Sequence, residues 1–201
     1  MVVPRVYRSS GEGALANYDW NDIANGLGYV VFYGYKTADG TYLLSNNQVY
    51  SDKIGETDLF AGVNPAIGHT FETSIFNLPK ILEGTAIINV PFGTDTRDTF
   101  CSGAIFHWDG TSNIKLGSGG DPNSDITANE RSVQNIPIDL PKTLIKKGDK
   151  IKVKIDVWNK NPSGNDVTYL GHDPKNRTYV IAGDDMTTTD LQVHLPFKID
   201  I

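Results

Sequence analysis

The chain has 201 residues, of which 39% are hydrophobic, 10% aromatic and 21% charged. A chain of this length buries roughly two thirds of its unfolded surface, and its composition excludes an intrinsically disordered protein. The net charge of −6 argues against a nucleic-acid-binding protein, which would gather Lys and Arg side chains against phosphates.

The N-terminal region, residues 1–27, is predicted to be an arm or loop that packs on the rest of the chain. It lacks the apolar stretch of a secretion signal, and no apolar run approaches the length of about 18 residues that suggests a membrane span. A single helical turn is expected around residues 21–25, capped by Asp19 or Asn21. We therefore expect synthesis in a cytosol and no interaction with a membrane.

The remainder of the chain alternates between strand patterns and turn residues. Residues 150–158 and 191–201 alternate apolar and polar side chains with a period of two, as half-buried antiparallel strands do. In the last strand Pro196 cannot donate a ladder hydrogen bond, which predicts an edge position or a bulge, and His194 falls on the polar, solvated face. Further strands are predicted at residues 28–35, 42–49, 71–76, 85–92, 103–108, 131–140 and 178–181, with a polar loop at 117–130.

About nine short strands joined by Gly, Asn, Asp and Pro turns predict an all-β fold. The expected architecture is an antiparallel β-sandwich in a single domain that spans residues 1–201. The pattern leaves open a jelly-roll or an immunoglobulin-like topology, and the length and strand number favour the jelly roll.

Candidate catalytic groups are few. Cys101 is the single cysteine, so it forms no intramolecular disulfide, and a small buried cysteine is expected there. His172 and Asp173 stand side by side, but adjacent residues on an extended chain point in opposite directions. Asp173-Pro174 is typical of a turn start. We predict a structural loop containing His172, Asp173, Pro174 and Arg177, and no catalytic residue.

Metal binding is expected to be absent. Asp184, Asp185 and Asp190 are the calcium candidates, but they do not follow the twelve-residue calcium loop with its closing Glu. The four histidines are too far apart in sequence to suggest a zinc motif. The sequence predicts no cofactor.

Aromatic side chains are the candidates for an interface or for ligand stacking: Trp20, Tyr29, Tyr33, Tyr35 and Trp158. The strand at 28–35 is apolar on both faces, so it lies centrally in a two-sided core or is covered by a partner subunit. Trp158 falls on the charged face of its strand, where it stacks on a sugar, packs against a neighbour, or packs under the loop at 159–166.

Three segments carry a resemblance to a known group of proteins: NYDWNDIANGLGY at 17–29, GHDP at 171–174 and VHLPFKID at 193–200. They resemble segments of uncharacterised proteins encoded by bacteriophages and related environmental viruses. The resemblance implies a virion-associated β-sandwich, such as a minor capsid, decoration or tail-attached protein. It supplies no functional residues.

These observations together predict a non-enzymatic virion structural protein. It is expected to be made in the host cytoplasm, to reside in the virion and to bind other virion proteins, as a homo-oligomer such as a trimer. The alternative is a glycan-binding β-sandwich used in host attachment, with tryptophans as stacking platforms. An enzyme is the third hypothesis, because a sandwich fold does not by itself decide function.

Overall fold

The computed structural model describes residues 27–60, 65–95, 98–120, 130–159, 166–181 and 184–198, and these residues form an all-β structure. The predicted all-β class is confirmed, with thirteen strands in the described residues rather than about nine. The strands are β1 (Leu27–Lys36), β2 (Tyr42–Ser45), β3 (Gly55–Phe60), β4 (Ile67–Thr73), β5 (Lys80–Thr94), β6 (Thr99–Trp108), β7 (Asn113–Gly119), β8 (Arg131–Ile145), β9 (Lys150–Asn159), β10 (Asp166–Gly171), β11 (Tyr179–Ile181), β12 (Asp184–Met186) and β13 (Gln192–Lys198). The predicted N-terminal arm, its helical turn and Trp20 lie outside the described residues.

Eleven of the strands belong to one mixed sheet. Its path runs β3-β10-β5-β13-β1-β2-β4-β9-β6-β7, and β8 pairs with β5 beside that path. The pairing of β2 with β4 is parallel, whereas the other pairings in the sheet are antiparallel. Strands β11 and β12 form a separate two-stranded hairpin.

Distant parts of this path face each other, and glycines permit the closest approaches. A Cβ on Gly103 of β6 would lie 2.8 Å from Ile88 Cδ1 on β5. A Cβ on Gly119 of β7 would lie 2.7 Å from the Pro137 carbonyl oxygen on β8, which leaves no room for a side chain. Because β6 and β7 are far from β5 and β8 along the path, these contacts enclose a core between the facing strands.

The predicted alternation of β9 is confirmed at the centre of that core. Ile151, Val153, Ile155 and Val157 are fully buried, while Lys154 between them is exposed. Cys101 belongs to the same core, as predicted, and burial raises the pKa of its thiol well above the usual value. The predicted division of the chain into a single domain stays a prediction.

Strand β13 does not have the first of its two predicted alternatives, an edge position. It lies between β5 and β1, not at an edge, and its register against β5 shifts between His194 and Phe197. Pro196 lies inside this shift in register, which fits the second predicted alternative, because a break in the ladder accommodates a residue that cannot donate a hydrogen bond. His194 is 4% exposed, so the prediction of a solvated histidine is wrong.

Several strands were missing from the sequence prediction. Strands β3, β7, β10 and β12 had no predicted counterpart, and residues 117–119 of β7 were predicted to begin a loop. Within the described part of the chain, no helix is long and apolar enough to cross a membrane.

Candidate functional site

The three tyrosines predicted at an interface lie on one face of β1, and all three are partly buried within this chain. The Tyr29 hydroxyl donates a hydrogen bond to the Thr85 carbonyl oxygen at 3.1 Å. Burial, and next the nearby charge of Asp190, raise the pKa of Tyr33. Because β1 is an internal strand of the sheet, its two-sided apolar pattern fits the first alternative, a central strand.

Trp158 lies on the outer face of β9, where it contacts β6. Its indole N–H donates a hydrogen bond to Ser102 Oγ at 2.8 Å. Its ring stacks on Phe100, with centroids 6.3 Å apart and planes 9° from parallel. These contacts fix the ring against the sheet; most of the loop that was predicted to cover it, residues 160–165, lies outside the described residues.

Asp173, in the predicted structural loop, binds the backbone of the residues that follow it. Its carboxylate accepts hydrogen bonds from the backbone N–H of Lys175 at 3.1 Å and of Arg177 at 2.9 Å, as an Asp at a turn start does. The Arg177 guanidinium also pairs with it, with Nε 2.7 Å from Oδ2. The loop that begins at His172 is therefore held by its own side chains.

The predicted calcium candidates are not brought together as ligands. Asp190 is partly buried beside Gln192, and burial raises the pKa of its carboxyl. Asp185 lies in β12 opposite Val180, and the side chain of Asp184 lies outside the described part of the chain. Among the described residues, no group of three or more His, Cys, Asp or Glu side chains could hold a metal ion.

A polar group that the sequence did not predict lies where β3 meets β2 and β4. We call Lys36, Tyr42, Glu56 and His69 the β3 cluster. Glu56 on β3 is its centre: one carboxylate oxygen lies 2.5 Å from His69 Nε2, and the other accepts a hydrogen bond from the Tyr42 hydroxyl at 2.5 Å. The Lys36 ammonium donates to that second oxygen as well. The four residues come from four different strands, so only the fold assembles them.

The electrostatics of the β3 cluster keep Glu56 ionised. Burial raises the pKa of its carboxyl, but hydrogen bonds from His69, Lys36 and Tyr42 outweigh burial and hold that pKa well below its usual range. Burial, together with the hydrogen bond to Glu56, raises the pKa of Tyr42 to about 12. Glu56 is therefore an anion and Tyr42 a neutral donor at neutral pH.

The contacts of His69 fix its orientation and its tautomer. Its ring stacks on Tyr42, with centroids 4.1 Å apart and planes at 20°. With Nε2 held by Glu56, the neutral ring carries its proton on Nε2 and its lone pair on Nδ1. The side chain is 23% exposed, so solvent reaches the ring. A carboxylate that orients a solvent-accessible imidazole is an arrangement used for general base catalysis.

His172 lies beneath the β3 cluster and is fully buried. The edge of its ring meets the Tyr42 ring at 5.9 Å between centroids, and neither ring nitrogen has a hydrogen-bond partner among the described residues. Burial lowers the pKa of His172 to about 4. His172 lies in the segment predicted as a structural loop, and its side chain packs in the interior against Phe71 and Tyr42.

A second His–carboxylate pair, His107 and Asp149, is buried. His107 Nε2 lies 2.6 Å from Asp149 Oδ2, which also accepts the backbone N–H of Lys146 at 2.7 Å. Burial raises the pKa of Asp149, but these hydrogen bonds outweigh it and lower that pKa overall. The pair fixes the turn between β8 and β9 and offers no accessible base.

We expect the folded state to lose stability in mild acid because two histidines are buried in neutral form. Burial lowers the pKa of His172 and of His194 to about 4, from an ordinary value of 6.5. Between these values the unfolded chain binds protons that the folded chain does not, so stability is complete above pH 6.5 and falls toward pH 4. The free energy of unfolding is expected to fall by up to about 1.4 kcal/mol per pH unit for each histidine. Urea unfolding at pH 7.5, 5.5 and 4.5 measures it.

The matched variants for this measurement are His172→Phe and His194→Gln. Each is expected to flatten the pH dependence relative to the unchanged chain, because one buried titrating group is removed. An unfolding free energy that is constant between pH 6.5 and 4.5, or variants with the same slope as the unchanged chain, would contradict the prediction.

No family model matches the chain, and no curated protein matches it in sequence. Solved structures, however, are similar to it in fold. The chain is similar to an aminopeptidase from the marine sediment archaeon Thaumarchaeota archaeon, with a TM-score of 0.60 and 9% identity over 86% of this chain and 37% of that one. The similarity to an α-amino acid ester hydrolase has a TM-score of 0.59 and 10% identity over 82% of this chain and 36% of that one. The similarity to a CocE/NonD family hydrolase from Staphylococcus aureus has a TM-score of 0.56 and 13% identity over 87% of this chain and 37% of that one.

These similarities correct the functional prediction. The hydrolases have TM-scores of 0.53–0.60, whereas structures of infectious bursal disease virus reach only 0.32–0.36, a level that supports no argument. The prediction of a virion structural protein, with glycan binding as its alternative, is therefore wrong, and so is the prediction that the chain is not an enzyme. The resemblance to bacteriophage proteins, the predicted partners and oligomer, and the predicted location stay predictions.

The extent of the likeness limits what it shows. At identities of 9–13% it establishes the fold alone. The chain also spans just over a third of the length of each of these hydrolases. A hydrolytic role for this chain therefore needs an argument from its own residues.

Proposed function

We propose that this chain takes part in the hydrolysis of ester or amide bonds in small substrates, with the Glu56–His69 pair as the general base. The observation that carries the proposal is the separation of 2.5 Å between a Glu56 carboxylate oxygen and His69 Nε2, which leaves Nδ1 of a solvent-accessible ring to accept a proton. The similarity in fold to an aminopeptidase and to ester hydrolases supports this class of reaction.

In the proposed reaction a water molecule attacks the carbonyl carbon of the substrate. His69 Nδ1 takes the proton from that water as the new C–O bond forms, and Glu56 stabilises the resulting imidazolium through Nε2. The bond to the leaving alcohol or amine then breaks, and His69 returns the proton to it. Lys36 and Tyr42 hold the Glu56 carboxylate in place by donating hydrogen bonds to its other oxygen.

The proposal also concerns the arrangement of the strands into layers. We propose a jelly-roll-like β-sandwich, in which the facing parts of the sheet form two packed layers. The contact of β6 with β5 through Gly103 and that of β7 with β8 through Gly119 support such layers. The β3 cluster then lies where edge strand β3 of one layer meets β2 and β4 of the other.

The test is a turnover assay on the purified full chain with three substrate classes: aminoacyl p-nitroanilides, amino acid esters and p-nitrophenyl esters of short acids. We expect several turnovers per chain for at least one class, in an activity that co-elutes with the 22.0 kDa protein. If no class is hydrolysed faster than in buffer containing free imidazole, the chain is not the source of a general base and the proposal fails.

A further inference from the structure

A cleft that the proposed function does not use lies on the other face of the sheet from the β3 cluster. It crosses β9, β6 and β7 and has a volume of about 470 Å³. In β9, Ile155 pairs with His69 and faces the core, whereas its neighbours Lys154 and Asp156 line the cleft. Side chains of adjacent strand residues point to opposite faces, so the cleft and the β3 cluster are separate sites.

The floor of the cleft consists of small residues that the backbone packing beneath it requires. Gly119 has no room for a side chain against β8, as described above. Gly120 has a φ of +129°, and a Cβ there would lie 2.7 Å from the Cys101 carbonyl oxygen. Ser102, Ala104 and Ser118 complete the floor. The result is a depression between longer side chains, with a volume in the range of small-molecule sites.

The walls of the cleft present donors and positive charge. Lys115 and Lys154 supply two ammonium groups, and Asp156 supplies one carboxylate, whose Oδ2 lies 2.8 Å from Lys154 Nζ. Ser102 Oγ already accepts a hydrogen bond from the Trp158 indole N–H, so its own O–H remains a donor. The cleft thus carries more positive than negative charge on a chain whose net charge is −6.

One wall is apolar. The Phe106 side chain is partly exposed on the outer face of β6, beside Lys115 of β7, its partner in the ladder. A ring next to an ammonium group suits a ligand that is apolar at one end and anionic at the other.

We propose that this cleft binds a small organic monoanion, namely a carboxylate attached to an aromatic or branched apolar group. The carboxylate accepts hydrogen bonds from the Lys115 and Lys154 ammonium groups and from the Ser102 hydroxyl, and the apolar group packs on Phe106. The single carboxylate of Asp156 offsets one of the two lysines, which matches a monoanion better than a phosphate dianion.

The experiment titrates the full chain with benzoate, with its neutral analogue benzamide and with inorganic phosphate, by isothermal calorimetry and by chemical-shift perturbation. We expect benzoate to bind with a Kd in the millimolar range, more tightly than benzamide or phosphate by at least tenfold. Equal affinity for benzamide would show that charge is not recognised, and tighter binding of phosphate would show a simple anion site. Either result overturns the proposal.

Two variants locate the binding. Lys115→Met is expected to weaken benzoate binding at least tenfold, and Ala104→Leu is expected to abolish it by filling the floor. Lys142→Met removes an exposed lysine of β8 outside the cleft and is expected to leave binding unchanged. Thermal unfolding confirms that each variant is folded. If benzoate binds all three variants as it binds the unchanged chain, the cleft is not its site.

Discussion

Replacing His69 with glutamine is expected to lower kcat/KM for the hydrolysed substrate by about 10²–10⁴-fold, the usual contribution of a general base. Glutamine keeps a donor near Glu56 but has no group that accepts a proton at neutral pH. The change leaves the hydrogen bonds from Lys36 and Tyr42 to Glu56 in place, so the β3 cluster remains assembled. Initial rates under substrate-limiting conditions give the ratio directly.

The matched control is His107→Gln. His107 on β6 also binds a carboxylate oxygen, at 2.6 Å, but it is buried against the turn between β8 and β9 that holds Asp149. Its replacement is expected to reduce the free energy of unfolding and to leave kcat/KM within about twofold of the original value, because no proton transfer passes through it. If His69→Gln keeps its activity, or if both variants lose activity to the same extent, His69 is not the base.

A strand can be predicted from the sequence when only one of its faces packs against the core, because apolar and polar residues then alternate along it. In β9 the residues of one face alternate regularly and are fully buried in the core: Ile151, Val153, Ile155 and Val157. The Asp173 turn is also predictable, because its hydrogen bonds join residues that are close in sequence.

The errors arise where a strand is covered on both faces or where glycine serves packing. His194 was assigned to solvent because it alternates with apolar residues, yet β13 is covered on both faces and the ring lies beside Asn89, with 3.3 Å between Nδ2 and Nε2. The glycines of β7 resembled a flexible loop, whereas Gly117 and Gly119 bring its backbone against β8. Composition alone does not separate these two uses of glycine.

The candidate site could not be predicted from the sequence, because the folding of the whole sheet brings its four residues together. Lys36, Tyr42, Glu56 and His69 fall within one stretch of chain, but their spacing matches no motif, and β3 had no predicted counterpart. Glu56 reaches Tyr42 and His69 only because β3, at one end of the sheet path, comes to lie against β2 and β4. Such a contact depends on how the whole sheet is folded, so no local pattern records it.

Replacing Phe71 with alanine is expected to lower the free energy of unfolding by about 3–5 kcal/mol, the usual loss for a fully buried phenylalanine. Phe71 on β4 is completely buried and packs edge-on to Tyr42, with centroids 5.2 Å apart. The site is tightly filled from the other side, because a Cβ on Gly34 would lie 3.2 Å from Phe71 Cδ1. The neighbouring backbone therefore has little freedom to collapse into the cavity.

The same substitution at Phe100 is the control, since that ring lies partly exposed on the outer face of β6, stacked on Trp158. We expect Phe100→Ala to cost about 1 kcal/mol, a typical value for a point substitution. Urea unfolding with an unchanged slope measures both free energies. Because Phe71 supports Tyr42, which in turn binds Glu56 and stacks on His69, Phe71→Ala is also expected to lower turnover, whereas Phe100→Ala is not. Equal losses of stability in the two variants would contradict the first expectation, and unchanged turnover in Phe71→Ala would mean that Phe71 does not support the β3 cluster.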